Sequence, residues 1–183
     1  EPTKMLYSDL LNDWLKVRKT NLKHQTFNTQ KDYIRNHIQP IFENIIISDI
    51  KKEHVQQFIN QLNSSGLAPA TIKKIYSLLK LSLDYAESFG WIKKNPAIGV
   101  YLPKLERVQE IQVWDEKQAK WFLDFVSGTP YQIVYQIALK TGMRRGEILG
   151  LRWKDINFKN KTIFVSQTLA SDGKTLNKSP KTK

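Results

Sequence analysis

The sequence predicts a mainly α chain: an N-terminal module of four helices, then the start of an α+β domain that carries a β-hairpin. Three observations lead there. Four segments before residue 90 repeat apolar residues at helical spacing and are separated by Pro, Gly or Ser-Gly punctuation. Residues 104–113 lose any amphipathic stripe and read as a linker. After a Gly- and Arg-rich junction at 141–153, the run Thr162–Leu169 alternates and is rich in β-formers.

In the module, residues 1–103, Thr3 is expected to cap a first helix over about 4–18, with Leu6, Leu10, Trp14 and Val17 on one stripe. A second helix spans about 26–38 and is expected to stop before Pro40. Its apolar members are Phe27, Tyr33, Ile34 and Ile38, with Lys31 and Arg35 on the polar side. Ile45-Ile46-Ile47 reads as a packed connector. Asp49 can start a third helix over about 51–63, where Val55, Phe58, Ile59 and Leu62 recur at helical spacing and Ser64-Ser65-Gly66 ends the run. The fourth helix has Pro69 at its first position, where a missing N–H costs nothing. Ile72, Ile75, Leu79, Leu83 and Ala86 form its core stripe, Gly90 ends it, and Lys73, Lys74, Ser77 and Lys80 fall on the other side.

Residues 114–183 open with a fifth helix over about 116–127, capped by Asp115 and carrying Ala119, Phe122, Leu123 and Val126, and a sixth over about 131–141. Asp155–Lys161 reads as a polar turn region, Thr162–Leu169 as one strand, Ser171–Lys174 as a turn and Leu176–Lys183 as the start of a return strand. The chain opens at Glu1 without a methionine and stops at Lys183 in a charged segment. Both ends read as cut, so the α+β portion is expected to be a truncated start.

Composition narrows the function. The 183 residues carry 29 Lys and Arg against 17 Asp and Glu, a net charge of +12. Such an excess argues for a polyanionic partner, nucleic acid before an anionic membrane surface. The charge is spread: residues 1–103 hold 14 basic and 9 acidic side chains, and residues 104–183 hold 15 and 8. That distribution suits a protein that wraps its partner better than one with a basic tail. With no cysteine, disulfides and cysteine metal sites are excluded, and His24, His37 and His54 have no metal-ligand spacing. No apolar run approaches a membrane span and no signal peptide opens the chain, so a soluble intracellular protein is expected.

The stretch Thr141-Gly142-Met143-Arg144-Arg145-Gly146-Glu147 concentrates the chemistry. An apolar helix runs into it, Thr141-Gly142 punctuates, and Ile148, Leu149 and Leu151 follow at once. Arg144 is thereby held at a tight junction with a carboxylate three residues on, and a guanidinium so held suits a bidentate grip on phosphate. The plainer reading is an i,i+3 ion pair of Arg144 with Glu147 at a helix start. Arg145 is a neighbouring alternative phosphate ligand, and Arg152 reads as a solvated or packing residue.

A four-helix basic module, a linker and Thr-Gly-x-Arg-x-x-Glu before a short helix and strand resembles the tyrosine recombinases, the phage- and transposon-type integrases. Ala70-Thr71-Ile72, Lys94-Asn95-Pro96-Ala97, Leu102-Pro103-Lys104, Thr141–Asp155 and Ser179-Pro180-Lys181-Thr182 agree in order. The resemblance implies that residues 1–103 are a core-binding (SAM-like) domain clamping one face of a duplex, and that 114–183 begin the catalytic domain. Arg144 matches the family's first catalytic arginine, Lys181 the hairpin lysine and Glu147 the motif glutamate that supports local geometry. The family's nucleophile is a tyrosine that forms a 3′-phosphotyrosyl link, with no metal or cofactor. Its His-x-x-Arg and that tyrosine lie beyond the second strand. The last of the seven tyrosines here is Tyr135, so no nucleophile is assigned.

The expected partner is double-stranded DNA at an attachment or recombination site, with tetramer formation on DNA for the full-length parent and a cytoplasmic setting in a bacterial or phage-infected cell. Lys31, Arg35, Lys73, Lys74, Ser77 and Lys80 are the candidate DNA contacts, mostly to phosphates, with Thr71 or Ser77 as groove readers. The fragment is expected to bind without cleaving. The alternative is a non-catalytic sequence-specific DNA-binding protein on the same scaffold.

Overall fold

The computed structural model describes residues 4–104 and 112–178. Thr3, the expected cap, Lys181, the expected hairpin lysine, and most of the expected linker lie outside them. Two units result, residues 1–108 and 109–183.

The first unit is built from four helical runs. Helix α1 spans Tyr7–Asn21. Its buried stripe is Tyr7, Leu10, Leu11 and Trp14, while Val17, expected inside, is exposed. Helix α2, His24–Tyr33, does not stop before Pro40. It passes through a π turn, Ile34–Ile38, into α3, Gln39–Phe42. The Gln39 N–H donates to the Ile34 carbonyl, five residues back, so Pro40 falls in the first turn of α3, where its absent N–H is not needed. The run Ile45–Ile47 lies against the start of α1: Tyr7 N–H donates to Ile45 O at 2.9 Å and Ile47 N–H to Met5 O at 2.9 Å.

Helix α4, Lys52–Ser64, starts after Lys51 rather than at Asp49, which belongs to a short 3₁₀ turn. The Lys51 backbone N–H donates to His54 Nδ1 at 3.2 Å. Helix α5, Pro69–Ser88, is the axis of the unit. All five residues of its expected stripe are buried, against Val55, Phe58, Ile59 and Leu62 of α4 and the α1 and Ile34–Phe42 side chains in one core. One polar pair crosses that core, the Tyr7 hydroxyl with Ser82 Oγ, whose own hydroxyl reaches the Leu79 carbonyl.

The chain leaving α5 is strapped back onto the unit. Asn95 Nδ2 donates to the Lys80 carbonyl at 2.9 Å and to Asp84 Oδ1 at 2.7 Å, and Asn95 Oδ1 accepts from Ala97 N–H at 2.8 Å. Farther on, the Gln56 amide both accepts from Tyr101 N–H and donates to its carbonyl.

The second unit is described by itself. Helix α6, Glu116–Phe125, starts at Asp115, whose carboxylate accepts from Gln118 N–H while Gln118 Oε1 accepts from Asp115 N–H, a reciprocal capping box. Helix α7, Gln132–Thr141, ends on Gly142 at φ +65°, a left-handed C-cap that suits glycine. Helix α8, Arg145–Leu149, follows after a three-residue gap, Gly142 to Arg144. The region expected to be a polar turn holds a strand, β1 at Ile156–Asn157, paired antiparallel with β2 at Thr162–Ile163. The single strand expected over 162–169 is broken: β3, Thr168–Leu169, pairs instead with the return strand β4, Leu176–Asn177. Phe164 N–H still donates to the Asp155 carbonyl in register with the β1–β2 pair, and beyond it the Ser166 and Gln167 side chains bond to Asp155 and to the Gly150 carbonyl. Only Val126 and Ile148 are buried apolar side chains among the described residues of this unit. Among the described residues no helix is long and apolar enough to cross a membrane.

Candidate functional site

Arg144 is the N-cap residue of α8, extended at φ −69° and ψ 151°. Its position follows from the two breaks before it. Thr141 Oγ1 donates to the Ile137 carbonyl at 2.6 Å and accepts from Met143 N–H at 3.2 Å, so one hydroxyl closes α7 and aims the chain at α8. Glu147, at the third helical position, then accepts from the Arg144 backbone N–H at 2.8 Å and from its Nη1 at 3.1 Å.

The plain ion-pair reading is therefore realised, and it does not consume the arginine. The Glu147 side chain is 13% exposed and that of Arg144 is 77% exposed. Among the described residues Glu147 is the one hydrogen-bond partner found for that guanidinium, which keeps further donors turned outward. The Arg144 backbone N–H, reinforced by the guanidinium, holds the Glu147 carboxyl below the usual carboxylate range. The carboxylate stays ionised at neutral pH and keeps the guanidinium oriented. A pair this close to solvent adds little stability, so its consequence is geometric. Arg145, the neighbouring alternative, lies on the rim of a cleft of about 220 Å³ that is also lined by Gly146, Leu149, Leu169, Ala170, Ser171 and Gly173.

Sequence reasoning missed a second arginine–carboxylate pair with the same spacing. Arg152 is not merely solvated: its Nε and Nη2 donate to Asp155 at 2.7 and 2.9 Å, and Nη2 also reaches Ser166 Oγ at 2.7 Å. The Arg152 side chain, with help from the Ser166 hydroxyl, pulls the Asp155 carboxyl down to about 2. Arg-x-x-acid at 144/147 and again at 152/155 was the available signal. Gly146 and Gly150 were missed too. A Cβ on Gly146 would lie 2.7 Å from the Leu169 carbonyl oxygen, and one on Gly150 would lie 3.0 Å from that of Gln167. Their spacing of four residues, one helical face, was the clue.

The candidate DNA contacts divide into free and committed side chains. Thr71, Lys73, Lys74, Ser77 and Lys80 share α5, while Lys31 lies on α2 and Arg35 in the π turn that packs on α5. Lys31, Lys73 and Lys74 are exposed, with no ion pair among the described residues. Arg35 pairs with Asp32 at 3.0 Å. Lys80 pairs with Asp84 at 2.8 Å, a hydrogen bond that raises its pKa. The Ser77 hydroxyl donates to the Lys73 carbonyl of its own helix, and Thr71 is half-buried in the first turn of α5. Among the described residues no group of His, Cys, Asp and Glu side chains has the arrangement of a metal site.

Comparison with known proteins bears on both units. The family profile for the phage integrase N-terminal SAM-like domain matches residues 6–63, and that for the phage integrase family matches residues 112–180. A "Tyrosine recombinase XerC-like" protein of Caldanaerobacter subterraneus subsp. tengcongensis is 31% identical over 168 residues, covering 88% of this chain and 43% of that protein. The ICEBs1 integrase of Bacillus subtilis is 27% identical over 180 residues, covering 97% and 49%. The chain thus spans about half the length of the curated relatives it matches. Among solved structures, the Tn1549 transposon integrase in complex with a circular intermediate DNA superposes with a TM-score of 0.80 at 26% identity, over 97% of this chain and 58% of that one. The lambda integrase tetramer bound to a Holliday junction shares the fold, with a TM-score of 0.76 at 19% identity over 97% and 49% of the two chains.

Proposed function

The chain belongs to the phage integrase family of tyrosine recombinases, and from that premise we propose that it binds duplex DNA through its helical unit and grips a backbone phosphate with Arg144. The observation that carries the reading is the Arg144 geometry. Its guanidinium is oriented by Glu147 and is 77% exposed, with a planar fork of donors suited to phosphate. In site-specific recombination by the longer parent, attack on a phosphodiester loads negative charge onto the non-bridging oxygens. A fixed guanidinium stabilises that charge without giving up a proton. Lys181 would donate a proton to the departing 5′ oxygen, and a tyrosine would hold the 3′ phosphate covalently between the two transfers. Glu147 serves by holding Arg144.

On the helical unit, Lys31, Lys73 and Lys74 are the principal phosphate contacts. Arg35 and Lys80 also reach phosphates, at the cost of loosening their pairs with Asp32 and Asp84. Thr71 or Ser77 would read a groove. The parent works as a tetramer on two duplexes, in the cytoplasm of a bacterial or phage-infected cell; the lambda integrase neighbour is a tetramer bound to a Holliday junction.

Within these 183 residues no tyrosine follows Tyr135, so the chain itself binds without cleaving. Incubated with a nicked recombination-site duplex, it should retard the DNA in a native gel and leave no adduct that survives detergent. Failure to retard any duplex would overturn the binding reading. A detergent-stable adduct would overturn the claim that this chain lacks the nucleophile.

A further inference from the structure

Arg144 is not held in place by a large apolar core. Helix α8 has five residues, far too few to be stable alone, and Ile148 is its one buried apolar side chain. What lies against it is the backbone of Gln167 to Leu169, while Phe164 and Ser166 bond to the turn that follows α8, and the contacts are polar or backbone. Asp155, with a side chain 7% exposed, accepts from Arg152 N–H at 3.2 Å, Nε at 2.7 Å and Nη2 at 2.9 Å, and from Ser166 Oγ at 3.0 Å. Phe164 N–H donates to the Asp155 carbonyl at 2.8 Å. Gln167 Nε2 donates to the Gly150 carbonyl at 2.7 Å, which satisfies an orphan acceptor at the C-terminus of α8. The Thr168 and Leu169 backbone then lies directly on the bare faces of Gly150 and Gly146. The segment therefore runs back along α8 from its end to its first turn, at Gly146, two residues from Arg144.

We propose that Gly146, Asp155 and Ser166 are positioning residues for Arg144. Together they clamp residues 164–169 along α8, so that the guanidinium at the head of the helix is presented at one fixed place relative to strand β3. Gly146 sets how closely the backbone of β3 approaches, since the atom a side chain would displace is a carbonyl oxygen of the main chain rather than a flexible tip. The Arg152–Asp155–Ser166 cluster fixes the other end, and its ionised carboxylate keeps that anchor in one geometry. This proposal rests on the reading of Arg144 as a phosphate ligand.

The test is a double-mutant cycle on duplex binding by the 183-residue chain at about 0.1 M salt, with R144A, G146A, S166A, R144A/G146A and R144A/S166A. One phosphate contact corresponds to roughly an eightfold loss for R144A at that salt, from a slope of about 0.9 per phosphate. G146A raises intrinsic helix propensity, so a role confined to helix stability would leave binding intact. The positioning role predicts a several-fold loss for G146A and for S166A, approaching that of R144A. It also predicts that neither change weakens the R144A background by more than about twofold. Wild-type binding by G146A and S166A overturns the proposal, as does a loss in the double variants equal to the product of the single losses. Should G146A not fold, by circular dichroism, the S166A arm decides alone. If R144A itself binds like the wild type, the phosphate reading has failed and this proposal falls with it. That result is separate from one in which only the cycle is additive.

Discussion

Asn95→Ala removes the side chain that closes the first unit. Asn95 is 1% exposed and makes three side-chain hydrogen bonds: to the Lys80 carbonyl, to Asp84 Oδ1 and from Ala97 N–H. The bond from its own backbone N–H to Glu87 Oε2 at 2.9 Å survives the change. Asp84 keeps Lys80 as a partner, so the carboxylate is not orphaned. The Ala97 N–H, in a buried bond, is left without an acceptor, at about 1–3 kcal/mol, and the other two lost bonds add about 0.5–1.5 kcal/mol each. A loss of about 3 kcal/mol is expected, which for a unit of this size lowers the thermal midpoint by on the order of 15 °C. Thermal unfolding followed by far-UV circular dichroism measures it. A loss under about 1 kcal/mol would show that the backbone bond and the burial of Ile92 and Ala97 hold the strap unaided, refuting the reasoning.

Other outcomes follow from the same geometry. Lys73→Ala should weaken binding to all duplexes alike and flatten the salt slope by about 0.9, whereas Lys80→Ala should flatten it less because Asp84 already offsets that charge. Acid should loosen the second unit through Asp155. Its carboxyl is depressed from 3.8 to about 2, so its contribution is fully present above the ordinary carboxylate range and disappears as pH falls through the folded value; Asp155→Asn should abolish that acid step in a circular dichroism titration. Native-state hydrogen exchange should find the α5 amides around Ile75–Leu83 the slowest and those of α8 among the fastest helical amides.

The helical unit was legible in the sequence where burial follows period. Every residue named for the α4 and α5 stripes is buried, because long amphipathic helices leave little to tertiary context, although Leu78 and Ser82 of α5 are buried too and were not in the stripe. Pro40 misled because a proline forbids one hydrogen bond, not a helical path, and a π turn reroutes that bond. Val17 misled because the stripe on α1 is shifted to Tyr7 and Leu11. In the second unit the motif drew attention to Arg144 and Glu147, and their hydrogen bonds formed as their spacing suggested. The broken strand after Ile163 was not legible: Ser166 and Gln167 have ordinary strand character, and the partners of their side chains, a carboxylate and a helix carbonyl, lie well upstream in sequence. The glycine face of α8 shows in the sequence only as the four-residue spacing of Gly146 and Gly150, since its meaning comes from the backbone that lies on it.

Everything above turns on duplex binding by phosphate contacts, with Arg144 among them. It is tested most directly by anisotropy titration of a duplex over about 50–200 mM salt with the wild type and R144A. Lys31, Lys73, Lys74 and Arg144 together predict a slope of log K on log salt of about −3.6 or steeper for the wild type, shallower by about 0.9 for R144A. A wild-type slope near zero, or identical slopes and affinities for the two proteins, would contradict it.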